Sequence, residues 1–330
     1  MSTGGGLHGV VGTGPLGLAL VWRLVRNGER VRAVNRTGRA ELPEHVELVA
    51  ADASDGSSLT PVLAEATVIY HCASTPYHTW PKTLPPIMDA VIEAAAATGA
   101  PIVYGDNLYA YGPAAGPLTE GLPYRPRGAN GQTRAELATT LMEAHGNGFV
   151  RATIGRSSDF FGPHVLVSQA GERLFGAAVA GKPAFVLGNR DVPHTYTFID
   201  DFASALVTLG AREEALGEVW HVPSAPTLST REFVRLVFAE LGREPRLRVM
   251  PRALLALLAT VNPTLRAVRE VTYQLEQPFV LDHSKFAGAF GAHPTPHAEA
   301  IRDTVAWYRT RSEHGNPGED WATAGSAPPH

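Results

Sequence analysis

Cysteine is nearly missing from this 330-residue chain, in which Cys72 stands alone. One thiol can form neither an internal disulfide nor a thiolate metal cage, which fits a reducing cytoplasm and argues against redox chemistry at Cys72. Lysine is almost as scarce, present only at positions 82, 182 and 285, so arginine carries the basic charge. No basic block accompanies the formal net charge of -4, which argues against nucleic acid or an anionic membrane as the main partner. A small molecule is expected instead, and a homodimer is compatible with the sequence. Long apolar runs are missing too. The longest, "ALLALLATV" from Ala253 to Val261, is about half of what a membrane span requires and reads as a buried helix. The opening "MSTGGGLHGVVGTGPLG" has no basic segment before its apolar run and breaks that run with glycines, unlike a secretory signal. A cytoplasmic location is expected.

What is present is an ordinary globular composition, 44% hydrophobic and 18% charged. Short β-rich runs, "LHGVVG", "RVRAVN", "VELVAA", "TVIYHCA", "PIVYGDN" and "FVRATIGR", alternate with helix-patterned segments such as "GLALVWRLVRNG" and "PPIMDAVIEAAAATG". That alternation predicts βαβ units and an α/β fold built on a parallel sheet. Beyond Arg156 the pattern loosens into Gly- and Pro-punctuated pieces, with helices expected near 168–180, 201–211, 229–241, 252–275 and 297–310. The chain therefore divides into residues 1–156, mainly dinucleotide-binding, and 157–314, mainly a substrate lobe with some elements returning to the sheet. Residues 315–330, "GNPGEDWATAGSAPPH", read as a disordered tail.

The dinucleotide reading starts from "VVGTGPLG", which sets Gly12, Gly14 and Gly17 in a GxGxxG array between a strand and a helix, with Thr13, Pro15 and Leu16 between them. Gly12 permits the tight turn, Gly14 lets the backbone approach a pyrophosphate, and Gly17 lets helix and strand pack closely. The second strand ends at Asn35 and Arg36, where an NAD site usually has an Asp or Glu for the ribose hydroxyls. A carboxylate would repel a 2′-phosphate and Arg36 would pair with it, so NADP(H) is favoured over NAD(H).

Taken together, "VVGTGPLG", "AADASD", "VIYHCAS", "IVYGDNLYAYGP", "LTEGLPYRPRGANGQTRAELA", "GRSSDFFGP" and "YTFIDDFASAL" resemble the extended short-chain dehydrogenase/reductases of the NAD-dependent epimerase/dehydratase type, over about residues 7–310. The resemblance implies a Rossmann-type doubly wound sheet with a smaller C-terminal substrate lobe. It implies that Asp52 and Ala53 meet the adenine and that His71, Cys72 and Ala73 lie along the cofactor. It also implies a catalytic Ser or Thr after the fifth strand and a Tyr-x-x-x-Lys on the next helix, but these positions fall on Asn107, Asn130 and Arg134. The residues four before the three lysines are His78, Ala178 and Leu281, so no Tyr-x-x-x-Lys occurs elsewhere.

Asn130 can donate a hydrogen bond but cannot act as an acid, and Arg134 can steady an oxyanion or the cofactor but is a poor proton donor. Tyr109, Asp106 and His78 are the first candidates for a replacement donor, near the strand ends that face the ligand crevice. His194 aligns with a position where the family often has a substrate-contacting Arg. The adjacent Asp200 and Asp201 read as helix N-terminal caps, no metal is assigned, and no G-x-S-x-G supports a hydrolase. Three functions stay open: an atypical NADP(H)-dependent oxidoreductase acting on a carbonyl or conjugated double bond, a non-catalytic NADP(H)-binding sensor or scaffold, and a nucleotide-sugar epimerase or dehydratase.

Overall fold

A computed structural model describes residues 5–313. The first half alternates strands β1 (Leu7–Val11), β2 (Arg30–Asn35), β3 (Glu47–Ala50), β4 (Ala66–His71), β5 (Ile102–Asn107) and β6 (Ala152–Ser157) with helices α1 (Pro15–Arg26), α2 (Gly56–Leu63), α3 (Trp80–Thr98) and α4 (Gly128–Gly146). Pro15 opens α1 where its missing N–H costs nothing, and Leu16, Leu20, Val21 and Leu24 form its buried stripe. The second half adds β7 (Asp159–Phe161), β8 (Ala184–Val186), β9 (Pro193–His194), β10 (Tyr196–Phe198) and β11 (Val219–His221). Strand β11 returns to the main sheet, which is parallel with seven strands in the order β11-β6-β5-β4-β1-β2-β3. Because β2 and β4 flank β1 on opposite sides, the connections diverge there and open a crevice at the C-terminal strand ends.

The sheet is covered on both faces, so its strands are near-continuous apolar runs. Val11, Ile69, Ile102 and Ile154 pack with α2, α3 and α4, whereas Val10, Tyr70 and Val103 pack with α1 and with α6 (Ile199–Gly210). Above the crevice, β7 pairs with β10, and β9 pairs with β12 (Leu228–Ser229). The core of this lobe is aromatic: the Phe233 ring centroid lies 4.3 Å from Tyr196 and 4.9 Å from Phe161.

Several expectations need correction. The helix expected over 168–180 is a π-helical turn, Glu172–Gly176, running into the short α5, Ala177–Val179. The one expected over 252–275 breaks into α8 (Arg252–Leu258), α9 (Pro263–Glu270) and a 3₁₀ turn (Thr272–Leu275). Pro263 starts α9 after Asn262, whose side chain accepts from Leu265 N–H; a residue before proline is driven out of helical geometry. "ALLALLATV" is not a buried helix: Leu255 and Ala259 are covered, but Leu257 and Val261 are 65% and 82% exposed. A helix not anticipated from the sequence lies at Ser284–Phe290. Asp200 and Asp201 sit inside the first turn of α6 rather than capping it; Asp201 accepts from both N–H and Oγ1 of Thr295. The segment from Gly315 lies outside the described residues.

A Cβ at residue 17 would overlap the Gly12 carbonyl oxygen, whereas at residue 14 no atom lies within 4 Å. Gly17→Ala should therefore destabilise the fold by about 1–3 kcal/mol, and Gly14→Ala by no more than about 0.5 kcal/mol. Urea unfolding of the two variants checks this; equal losses would mean that the packing of α1 on the loop is misdescribed.

Candidate cofactor cleft and substrate chamber

The crevice begins at the glycine loop. Gly12 adopts φ +98° and donates its N–H to the Val34 carbonyl at 2.8 Å, turning the chain from β1 into α1. Gly14 is the N-cap of α1, extended and without a side-chain cap, and no acidic residue lies in the first turn. A twelve-residue helix thus points its positive end into open space beside a residue with no side chain, which fits a phosphate group. Leu16 packs into the core, and Ala73 approaches Gly12 so closely that only glycine fits there.

Asn35 holds two loops together. Its Nδ2 donates to Thr13 Oγ1 at 2.7 Å and to the Arg39 carbonyl at 3.0 Å, while its Oδ1 accepts from the N–H groups of Thr37 at 3.1 Å and Gly38 at 2.7 Å. Beside it Arg36 is exposed. Asp52, also exposed, accepts from Ser54 N–H and Oγ; these bonds, and then the Arg36 charge, hold its carboxyl below the usual value. Ala53 is partly buried against the core. Cys72 is buried, which pushes its thiol up to about 12 and leaves it unreactive.

Several residues expected to do chemistry form a buried ionic cluster instead. Both oxygens of Asp106 accept from guanidiniums, Oδ2 from Arg156 Nε at 2.9 Å and Oδ1 from Arg134 Nη1 at 3.3 Å. Arg134 Nη1 also reaches Tyr104 Oη at 2.6 Å, and the guanidinium lies 4.1 Å from the Trp80 ring centroid. Arg156, with no exposed surface, donates to Tyr124 Oη at 2.8 Å and lies 4.8 Å from the ring centroids of Tyr111 and Tyr124. Asp106 is therefore a shared counter-ion rather than a free acid, and Arg134 is engaged through Nη1, while its Nε and Arg156 Nη1 are buried without a protein partner. Helix α4 begins at Gly128. Asn130 is buried one turn before Arg134 and donates to the Tyr77 carbonyl at 2.9 Å. Asn107 Oδ1 accepts from Tyr109 N–H at 3.0 Å, and His78 Nδ1 lies 3.1 Å from Thr264 Oγ1.

A second polar group gathers on the lobe side. The Tyr77 and Tyr109 rings meet edge-on at 6.4 Å, and Gln274 Nε2 donates to Tyr109 Oη at 3.5 Å. His194 Nδ1 lies 3.1 Å from the Gln274 carbonyl, and its Nε2 lies 3.1 Å from Asp159 Oδ2. Burial, with the Asp159 charge as a smaller contribution, pushes the Tyr109 hydroxyl up to about 12 and raises those of Tyr77 and Tyr273. Tyr77 Oη, Tyr273 Oη, Gln274 Oε1, Ser157 Oγ and Ser158 Oγ are buried without a protein partner. Each such atom costs about 1–3 kcal/mol if left unmet, so these atoms are candidates to meet a polar ligand or water. Among the described residues no cluster of three or more His, Cys, Asp or Glu could hold a metal ion, and no helix is long and apolar enough to cross a membrane.

Sequence reading did not reach Tyr104, Trp80, Arg156, Tyr273 or Gln274. A signal existed for Arg156: Asp106 and Arg156 interrupt two apolar strands, and the register of β5 on β6 sets them directly opposite. Buried charges in adjacent strands need each other. The aromatic positions carried no such mark.

The model of a family described as NAD dependent epimerase/dehydratase matches residues 10–222, from within β1 to just past β11. This chain belongs to that family. Its fold is shared by dTDP-glucose 4,6-dehydratase of Bacillus anthracis in complex with NAD, with a TM-score of 0.74 at 16% identity, covering 96% of this chain and 99% of that one. DesIV, a dTDP-glucose 4,6-dehydratase of Streptomyces venezuelae with NAD and TYD bound, gives 0.76 at 18% identity, covering 94% and 99%. UDP-glucose 4-epimerase of Thermus thermophilus in complex with NAD gives 0.74 at 19%, covering 92% and 99%. At these identities the likeness is one of fold. A curated relative, 3beta-hydroxysteroid-dehydrogenase/decarboxylase isoform 2 of Arabidopsis thaliana, is 23% identical over 258 residues, 71% of this chain but only 43% of the relative. The family's parallel sheet and crevice are thus present, with the Asp106 cluster beneath them.

His71, buried at the end of β4 and stacked 4.9 Å from Tyr104, yields a pH prediction. Burial, and secondarily the Arg134 charge, lower its imidazole to about 3, against an ordinary value of 6.5. Between those values the unfolded chain takes up a proton that the folded chain refuses, so stability is full above about pH 6.5 and falls as the pH drops towards 3. His71 alone should cost about 2 kcal/mol between pH 6.5 and 5, and the buried His221, lowered for the same reason, adds to the slope. Urea midpoints of the wild type and His71→Phe over pH 8 to 4 check this; an unchanged slope in the variant would overturn it.

Proposed function

We propose that this chain is an oxidoreductase that binds NADP(H) in preference to NAD(H) and acts on a carbonyl or conjugated double bond of a small polar metabolite. The observation that carries the reading is the open space at Gly14, before the N-terminus of α1, with Arg36 exposed at the end of β2 and no carboxylate at residue 35. In this reading residues 1–156 form the dinucleotide half. Gly12 to Gly17 and the start of α1 take the pyrophosphate, Arg36 pairs with the 2′-phosphate, Asp52 and Ala53 border the adenine, and Cys72 and Ala73 border the remainder. Residues 157–314 supply most of the substrate side, where Gln274 meets Tyr77 and Tyr109 from the first half, and the three offer hydrogen bonds from a buried setting. Asn130 and Arg134 support this floor, Asn130 through the Tyr77 carbonyl and Arg134 through Tyr104 and Asp106. When bound, the reduced dinucleotide supplies the hydride. The single buried Cys72 fits a reducing, cytoplasmic setting.

Family membership favours a second reading, a nucleotide-sugar epimerase or dehydratase. That chemistry returns the hydride to the sugar and leaves no net cofactor consumed. Its proton steps would need a group other than Asn130, because an amide does not titrate near neutral pH.

Calorimetry should give a lower Kd for NADPH than for NADH. Arg36→Asp should erase or reverse a preference of roughly tenfold or more. Gly14→Val, whose side chain enters the pyrophosphate space, should abolish binding while the melting temperature without ligand changes little. Equal affinities for the two cofactors would remove the NADP(H) assignment. Net NADPH oxidation with a panel of small ketones, aldehydes and enones supports the first reading; conversion of dTDP-glucose or UDP-glucose without net oxidation supports the second. Tight binding with neither leaves a cofactor sensor.

A further inference from the structure

Both ring nitrogens of His194 face oxygens that only accept. His194 Nδ1 faces the Gln274 backbone carbonyl at 3.1 Å, and a carbonyl only accepts, so Nδ1 carries a hydrogen. His194 Nε2 faces Asp159 Oδ2 at 3.1 Å. A neutral imidazole protonated at Nδ1 would turn its Nε2 lone pair towards a carboxylate that also only accepts. One further proton between them, on nitrogen or on oxygen, would turn both contacts into hydrogen bonds. His221 makes the contrast: its Nδ1 also faces a carbonyl, that of Asp282 at 2.9 Å, but its Nε2 meets the Tyr111 hydroxyl at 2.9 Å. A hydroxyl can donate, so neutral His221 is satisfied and no further proton is required.

We propose that Asp159 and His194 together hold the proton taken up by the substrate oxygen, with Asp159 as the catalytic acid and His194 as the residue that positions and reloads it. The inference rests on the oxidoreductase reading above and deepens it. Two short ladders fix the pair: β7 aligns Asp159 with Tyr196 of β10, and β9 aligns His194 with Leu228 of β12. Asp159 follows directly after β6, at the sheet edge where the crevice opens, and keeps 15% of its side chain exposed while His194 keeps 1%. The buried, unpartnered oxygens of Tyr77, Tyr273 and Gln274 point to a polar ligand in this chamber.

The surrounding groups leave the pair as the proton source. Burial pushes the hydroxyls of Tyr77, Tyr109, Tyr196 and Tyr273 up, so they keep their protons at neutral pH. Arg173, from the π-helical turn, is the cation whose charge acts on Asp159, and a guanidinium does not exchange its proton in this range. Phe279 stacks on the His194 ring at 5.5 Å and is apolar. In a carbonyl reduction the carbonyl carbon gains a hydride from the reduced dinucleotide, its π pair moves to oxygen, and that oxygen takes the proton of the pair. The substrate is reduced by two electrons and the dinucleotide oxidised by two. Solvent then returns one proton to the pair.

The test uses the full chain with ¹⁵N-labelled histidine and ¹³C-labelled aspartate, assigned with His194→Gln and Asp159→Asn. At pH 7, NMR should locate a proton on His194 Nε2 or on the Asp159 carboxyl, in addition to the one on Nδ1. His194 protonated on Nδ1 alone beside an ionised Asp159 overturns the inference and leaves the oxidoreductase reading intact. With a ketone, aldehyde or enone that the wild type reduces, Asp159→Asn should lower kcat by about 100-fold or more, with NADPH affinity unchanged within about twofold. His194→Gln should retain a residual rate whose decline at high pH moves to more acid values. Variants that match the wild type, or that fail only because NADPH no longer binds, overturn the inference alone. A wild type that oxidises NADPH with no member of the panel overturns both this inference and the reading on which it rests.

Discussion

A carboxylate shared by two buried guanidiniums sets the geometry of the crevice floor. Asp106 meets Arg156 from the neighbouring strand and Arg134 from α4, so one side chain ties β5, β6 and α4 together. The two cations are walled by aromatic rings, Trp80 over Arg134 and Tyr111 and Tyr124 over Arg156, which face them with π clouds and exclude water. Removing one member of such a cluster typically costs about 3–5 kcal/mol, because the remaining charge stays buried and unpaired. The same contacts fix the Arg134 guanidinium through Nη1, on the helix and turn where the family resemblance puts a catalytic lysine.

Buried polar atoms without a protein partner occur on both sides, Arg134 Nε and Arg156 Nη1 in this cluster and several side-chain oxygens outside it. Outside the cluster, Tyr77 and Tyr273 have Asp159 as the carboxylate whose charge reaches them. The dinucleotide loop belongs to the first half of the chain and the proton-holding pair to the second. The two halves are joined through β6, which ends two residues before Asp159.

The sequence made the sheet legible because a strand covered on both faces must be apolar throughout, and the six runs read as strands are β1 to β6. The glycine loop was equally readable, since no other residue fits at Gly12 or Gly17. Past Arg156 the elements shorten to two or three residues, as in β7, β9 and β10, and too few positions remain for a period to emerge. "ALLALLATV" was misleading because composition reports apolarity, not coverage: α8 is too short for neighbours to enclose it. The roles of Asn130, Arg134 and Asp106 could not be read from residue type. A donor aimed at a ligand and a donor aimed at a neighbouring strand are the same letter, and only the Asp106–Arg156 register separates the two.

The Asn35 amide carries a consequence for how this chain could change. Its two N–H bonds reach Thr13 in the glycine loop and the Arg39 carbonyl, and its oxygen gathers the amides of Thr37 and Gly38. A carboxylate at residue 35 would keep the accepting half of this clasp and could take the Thr13 hydroxyl hydrogen, but would set an anion against the Arg39 carbonyl. Selection acting on that codon alone would loosen the loop before it altered which nucleotide is read. A change at residue 35 is therefore coupled to the 35–39 turn, and the two would have to vary together.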